Sequence, residues 1–477
     1  THQPLNTGFG PTFIPCDQHP GPVTTSRKTM THLRAVTLGL LFLASTGQAQ
    51  AQDSVATPAP AEPRPTGLPK NLQWEFNFDA GLGTFGFSNS LYTDVRPDPS
   101  GNLSDNWVEG FVKPKLSASH GLGKAELYGA ISAVGERTYA APPPLVGDEA
   151  SSFQVEDLYL GWRSGTSLGI GENALDFTVG RTQYKIGKGF LLWDGGGEGG
   201  SRGGFWSNAR KAWQFATVAR FKPKHHTLEA FYLDRDEVPE RETGTRLWGG
   251  NYELSLGEAN TFGATYLNFQ ADSLPNRDGM SVVNLRAYTA PLKAVPNLSF
   301  GAEYAREDNG NLLKSTAWMA QGAYQLSKVA WTPKLSYRYA FVEGDDPATA
   351  TNEGFDALLP GFSDWGAWWQ GEIAGEYFLS NSNLISHQFR VHLTPSDALG
   401  AGLIGYAFRL DQPASFGPGV TSKNVATELD AYADWQVNKN FLVSFVAAYA
   451  HPQEAVAQGF GRTSNFTYGM IYVGYAY

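Results

Sequence analysis

One cysteine, Cys16, occurs in 477 residues. It falls in the first 29 residues, so the rest of the chain has no thiol. That removes disulfides, thiol nucleophiles and cysteine–metal centres from consideration there, and it suits a protein that crosses an oxidising periplasm unpaired. Charge is also scarce. Asp, Glu, Lys and Arg make up 17% of the chain, where soluble domains average about a quarter. The net charge is −10, and no basic tract or nucleic-acid motif is present, so no nucleic-acid partner is expected. No apolar run approaches the ~20 residues that a membrane-crossing helix needs. Catalytic signatures are missing too: there is no G-x-S-x-G elbow and no H-E-x-x-H pair. The run Gly195-Gly196-Gly197-Glu198-Gly199-Gly200 lacks the Lys-Ser/Thr that completes a phosphate loop. His387 and His392 fall on opposite faces of one alternating stretch and cannot share a metal. No catalytic residue, metal site or cofactor is expected.

What the chain does have is 54 glycines, 13% aromatic residues and a repeated period-two pattern. Leu72, Trp74, Phe76, Phe78 and Ala80 alternate with Gln73, Glu75, Asn77 and Asp79, an apolar face against a polar one. Leu335, Tyr337, Tyr339 and Phe341 alternate likewise with Lys334, Ser336 and Arg338. Eighteen such runs follow one another, near 72–86, 107–118, 124–134, 153–163, 174–182, 211–221, 226–235, 246–256, 260–270, 280–290, 297–306, 315–326, 332–342, 382–394, 398–411, 423–437, 440–450 and 463–477. Connections at one end are short, as at 120–123, 222–225 and 438–439. At the other end they are long: 87–106, 135–152, 183–210 and 343–381. A propeller would show a repeat of about 40 residues, and none is visible. Sandwich domains would need linkers, and none divides 71–477. The fold class expected is all-β: a closed antiparallel transmembrane β-barrel of about 18 strands, with long extracellular loops and short periplasmic turns.

Before the barrel, residues 30–51 have the layout of a secretory signal peptide: Met30, Arg34, an apolar run from Ala35 to Ala44, then small residues around Ala49 and Ala51. Residues 1–29 precede it without pattern and read as a mis-called upstream start. The Pro- and Ala-rich stretch 52–70 reads as a disordered periplasmic lead-in. These divisions place the protein in the outer membrane of a Gram-negative bacterium after cleavage, among lipid and lipopolysaccharide.

The ending adds to this. Tyr477, Tyr475, Val473 and Ile471 form one continuous face of the last run, and a terminal strand closing on Tyr477 resembles the signal that the barrel-assembly machinery reads. Two further stretches carry a resemblance. One runs from Gly180-Arg181-Thr182-Gln183 to Gly187-Lys188-Gly189-Phe190-Leu191-Leu192-Trp193-Asp194-Gly195. The other runs from Asn352-Glu353-Gly354-Phe355-Asp356 through Pro360-Gly361-Phe362 to Trp368-Trp369-Gln370-Gly371-Glu372. Both look like the alginate-export porin family, whose members are eighteen-stranded outer-membrane barrels. The resemblance implies passive passage of an acidic polysaccharide or oligosaccharide. A general or carbohydrate uptake porin is the alternative, since the sequence does not give the direction of flow; a barrel-embedded hydrolase is the enzyme rival, with no residue group singled out for it.

A barrel this wide is not filled by its own side chains and should hold water, so charges on the polar faces select the cargo. By alternation the cationic pore-lining candidates are Lys113, Lys115, Arg181, Arg220, Arg286, Lys334, Arg338, Arg390 and Arg409. Guanidinium groups match carboxylates in a two-pronged geometry. The acidic candidates are Glu75, Asp79, Glu109, Asp157, Glu428, Asp430 and Asp434, which keep a polyanion from binding too tightly to leave. Phe362, Trp365, Trp368 and Trp369 in the longest loop are candidates for sugar contact. Trp162, Trp213, Trp248, Trp318 and Trp435 read as interfacial girdle residues.

Overall fold

The computed structural model describes residues 72–91, 104–140, 150–207, 209–257, 260–290, 294–361 and 370–477. The three divisions before residue 71 therefore lie outside the described residues. So do Phe362, Trp365, Trp368 and Trp369.

Eighteen strands form one sheet. In chain order they are β1 (Leu72–Ser88), β2 (Asp105–Leu122), β3 (Ala125–Tyr139), β4 (Ala150–Arg163), β5 (Leu175–Thr182) and β6 (Trp213–Phe221). Then come β7 (His226–Asp234), β8 (Arg246–Ser255), β9 (Thr261–Gln270), β10 (Ser281–Thr289), β11 (Leu298–Asp308) and β12 (Lys314–Gln325). The last six are β13 (Lys334–Val342), β14 (Leu384–Ser396), β15 (Leu399–Arg409), β16 (Asn424–Gln436), β17 (Phe441–Pro452) and β18 (Phe466–Ala476). Each strand pairs antiparallel with its sequence neighbours. β1 closes the ring on β18 in the register Leu82↔Val473 and Phe85↔Met470. Tyr477 seals the joint: its N–H donates to Phe78 O and its carbonyl accepts from Phe78 N, both at 3.0 Å. Closure leaves no sheet edge to pair elsewhere.

The alternation resolves into an apolar outside. Phe153, Leu160, Leu285, Phe389, Leu403 and Leu429 are each more than half exposed. Cross-strand aromatic pairs such as Phe441–Tyr475 and Trp248–Tyr266, with ring centroids 4.9 and 5.7 Å apart, add to that face. Trp213 departs from the girdle expected of it. It is fully buried inside the barrel, and its indole N–H donates to Tyr184 O at 2.9 Å.

Connection lengths alternate as the sequence suggests, with two exceptions. Eleven residues, 164–174, join β4 to β5 at the short-turn end, and only five, 309–313, join β11 to β12 at the other. The larger difference lies inside. The long-loop half of the interior is packed rather than open. Loop 183–212 brings in Tyr184, Ile186, Phe190, Leu191 and Leu192, and loop 343–383 brings in Phe355, Leu358, Ile373 and Leu379. They meet an apolar inner wall that includes Phe85, Phe87 and Trp107, with Phe85 and Trp107 stacked at 5.3 Å.

Candidate functional site in the barrel lumen

A loop folded into a barrel carries peptide N–H groups away from bulk water, and each needs an acceptor. The wall supplies carboxylates. Glu109, fully buried on β2, accepts from Trp206 N and Ser207 N at 2.8 and 2.9 Å and from the Trp107 indole at 2.9 Å. Glu156 on β4 accepts from Lys211 N and Ala212 N at 2.7 and 3.0 Å. Under the second loop, Glu428 on β16 accepts from Ile373 N and Ala374 N at 2.9 and 2.8 Å, while Asp430 accepts from Glu372 N at 3.3 Å. Glu307 on β11 takes Asp356 N at 2.9 Å. Glu109, Glu428 and Asp430 thus face inward and are covered by loop backbone. They are anchors.

Loops 183–212 and 343–383 also hold each other. Trp193 N donates to Leu359 O at 2.8 Å, Leu359 N to Leu191 O at 3.0 Å, and Gly361 N to Gly189 O at 3.0 Å. The two stretches that carry the family resemblance therefore meet, at 189–193 and 359–361. Loop 235–245 ties in through Gly197 N to Asp236 O at 2.7 Å and Asp236 N to Gly195 O at 2.9 Å. Asp236 sits among three guanidinium groups. Arg181 pairs with it, Arg202 stands at 3.1 Å and Arg210 at 2.5 Å. Burial pushes its carboxyl up, but the Arg210 hydrogen bond and the charges of Arg181, Arg210 and Arg202 outweigh that and hold it below the ordinary value. Taking the acid out of such a buried group costs about 3–5 kcal/mol, because the stranded cations lose their counter-charge. Arg277 clamps Asp356 in the same way, with two bonds of 2.7 and 2.5 Å.

The other expected lining residues sort by depth. Lys113 is buried, 3.2 Å from Glu156, and donates to Ala209 O. Lys115 is partly exposed beside Asp157 at 3.3 Å. Asp79 stands in register with Lys113. Asp434 accepts from Ser444 Oγ at 2.6 Å, and Glu75, exposed toward the short-turn end, accepts from Asn77. Arg220 pairs with Glu229 at 2.8 Å and lies 3.8 Å from Asp176. Arg338 is buried, with Nε donating to Gln321 Oε1 at 2.9 Å. Arg390 donates twice to Tyr432 Oη, at 3.0 and 2.6 Å. Lys334 faces inward opposite His392. Arg409 differs from expectation: it shares the outward face of β15 with Leu403 and pairs with outward Ile385. A register shift at Phe408/Arg409 marks the strand's end there, so this guanidinium sits on the rim and not in the lumen.

Some lumen residues escaped strict alternation. β4 bulges opposite Ser132, where the register breaks between Ile131 and Ala133. Glu156 and Asp157 consequently both point inward. Arg202, Arg210 and Asp236 belong to loops, where periodicity says nothing. Lys188 had a signal, the flanking pair Gly187 and Gly189, which marks a turn.

A closed barrel with apolar side chains outside and charges inside is the architecture that crosses a membrane by strands, since every backbone group is paired within the sheet. The chain is similar in fold to OccAB2 of Acinetobacter baumannii. Identity is 14% and the TM-score 0.54, over 84% of this chain and 98% of that one. OccK7 (OpdD) of Pseudomonas aeruginosa gives 11% and 0.52 over 85% and 98%. The outer membrane protein opdK of the same organism gives 12% and 0.53 over 84% and 98%. No curated protein matches the sequence. Residues 293–470, from before β11 to the middle of β18, match the model of the family described as alginate export.

Proposed function

We propose that the protein is an outer-membrane channel for passive passage of an acidic oligosaccharide or polysaccharide. The observation that carries this reading is the division of lumen charge. Wall carboxylates Glu109, Glu156, Glu307, Glu428 and Asp430 are taken up by loop N–H groups. Lys115, Arg220, Lys334 and Arg390 keep partial exposure. We read the water path as more cationic than the net charge of the chain implies, because the local field and not the sum decides; within it Lys115 and Arg220 stand against Asp157 and Glu229. The match to the alginate export family over 293–470 supports a uronate cargo. Outer-membrane placement is supported by the apolar exterior. The chemistry proposed is selection and passage, with no bond made or broken.

A second reading is uptake of small anionic solutes. Two interlocked loops fill the long-loop half of the interior, and a polymer would have to displace them. Purified protein in planar bilayers separates the readings. Block of the current by uronate oligomers that strengthens with chain length supports a polymer track. Block by monomeric acids alone supports small-solute uptake. Equal block by neutral and acidic sugars of one length would contradict both.

A further inference from the structure

An arginine on the lipid-facing side of a transmembrane strand is costly toward the midplane and tolerated only near the interface. Arg409, the last residue of β15, takes that position at the long-loop end and is exposed. Other exposed arginines near that end have a partner in the protein. Arg246 pairs with Asp272 at 2.7 Å, Arg306 reaches Asp308 at 4.0 Å, and Arg137 lies over the Tyr139 ring at 4.5 Å. Arg409 differs from all three. Among the described residues, no carboxylate, hydrogen-bond acceptor or aromatic face engages its guanidinium. Asp411, the acid next to it along the chain, accepts from Gly344 N through Oδ2 at 3.1 Å. The Arg409 charge reaches Tyr339 two strands away, but a neutral phenol does not balance it.

The surface around Arg409 has the shape of a lipid. The outward register runs Trp318↔Phe341↔Ile385↔Arg409, so the guanidinium ends a row of apolar side chains that includes the girdle residue Trp318. Below it on β15 come Ala407 and Gly405, then Leu403, which is more than half exposed. Ala407 lies between His387 and Thr427, and Gly405 between Phe389 and Leu429. Phe389 is 62% exposed and Leu429 51%, while a Cβ on Gly405 would meet nothing within 4 Å. Two small residues between larger ones leave a furrow along β15 that leads from the bilayer to the guanidinium. His387 on its edge is fixed by a 2.8 Å hydrogen bond with Tyr337 Oη. Exposed Lys423, whose carbonyl accepts from Leu410 N at 2.7 Å, adds a second cation to this stretch of the rim.

We infer that Arg409 heads a binding site for a phosphorylated lipid of the outer leaflet, with a lipopolysaccharide phosphate on the guanidinium and an acyl chain in the furrow. A guanidinium offers parallel N–H groups that match a phosphate in a two-pronged geometry. That contact removes the cost of an unbalanced cation at the lipid face. The furrow favours a lipid over a free anion, because only a lipid places a chain and a phosphate in one molecule. The inference needs the outer-membrane placement and not the cargo reading.

The test titrates the purified barrel in detergent with lipid A carrying its phosphates, with the same lipid dephosphorylated, and with inorganic phosphate as a competitor. Wild type is compared with Arg409→Gln, Arg409→Lys and Arg306→Gln. Wild type is expected to bind the phosphorylated lipid more tightly than the dephosphorylated one. Arg409→Gln should weaken the phosphorylated lipid by about two- to fivefold, the worth of one half-exposed ion pair, and leave the dephosphorylated lipid unchanged. Arg409→Lys, which keeps the charge without the fork, should fall between, and Arg306→Gln should bind as wild type. Open-channel conductance of Arg409→Gln in planar bilayers should equal that of wild type. Equal affinity of wild type for the two lipids would overturn the inference without any variant, and so would unchanged binding by Arg409→Gln. Equal weakening in Arg306→Gln would mean a general rim charge and overturn the site. Displacement of the lipid by inorganic phosphate would reveal a free-anion site and overturn the lipid assignment. A lowered conductance in Arg409→Gln would return the guanidinium to the lumen and overturn it as well.

Discussion

Asp194 and Glu198 are acids of loop 183–212 whose protonation bears on how firmly that loop is seated. Burial raises Asp194 to about 7, with Lys211 and Arg235 pulling the other way. Burial and the charge of Glu136 on β3 raise Glu198 well above the usual carboxylate range. A folded-state value above the unfolded one means that the protonated form favours the seated loop. Asp194 therefore contributes most below pH ~4, its unfolded value, and the contribution fades as pH rises through about 7. Asp236 and Asp356 have the opposite sign: each lies below its ordinary value and steadies the loops only while ionised. Single-channel current noise should accordingly rise between pH 6 and pH 8, and Asp194→Asn should flatten that rise. Noise that falls across this range would contradict the assignment. Little of this chemistry was legible in the sequence. Alternation puts Glu109, Glu428 and Asp430 on the polar face of their strands, but it gives no information on what lies over them. The loop N–H groups that cover them come from more than 50 positions away, as between Ala374 and Glu428.

At the scale of elements the sequence was far more readable. A strand half in lipid and half in a lumen must alternate, so each of the eighteen runs stood out by its own periodicity. β4 shows the limit of that reading. Its bulge at Glu156-Asp157 is set by the pairing with β3, not by either strand alone. Loop 343–383 shows another: its length marked it as functional, while its contact with loop 183–212 was hidden. Each stretch carries its resemblance separately in the sequence. Their junction at Leu192 and Leu359 is a short parallel bridge, a pairing with no local pattern. Replacing residues 343–383 by a short turn should raise single-channel conductance and unseat Leu191–Trp193, because Trp193 N loses its acceptor and Leu191 O its donor. Unchanged conductance would show that the loop does not narrow the path.

For the whole molecule, composition and strand periodicity bounded the answer early. Few charges, many aromatics and an alternating last strand agree with a barrel closed by β1 on β18, and the apolar belt explains where 42% hydrophobic residues go in a protein with a charged interior. The interior was misjudged in one respect. A water-filled lumen follows from strand number alone, but half of this one is occupied by its own loops. On the reading proposed above, that occupation sets the selectivity by burying wall carboxylates such as Glu109 and Glu428. The reversal potential of the wild-type channel under a KCl gradient tests this most directly. The account predicts anion preference, declining as salt rises and the Debye length falls from about 10 Å at 0.1 M to about 3 Å at 1 M. A cation-selective channel at low salt would contradict it.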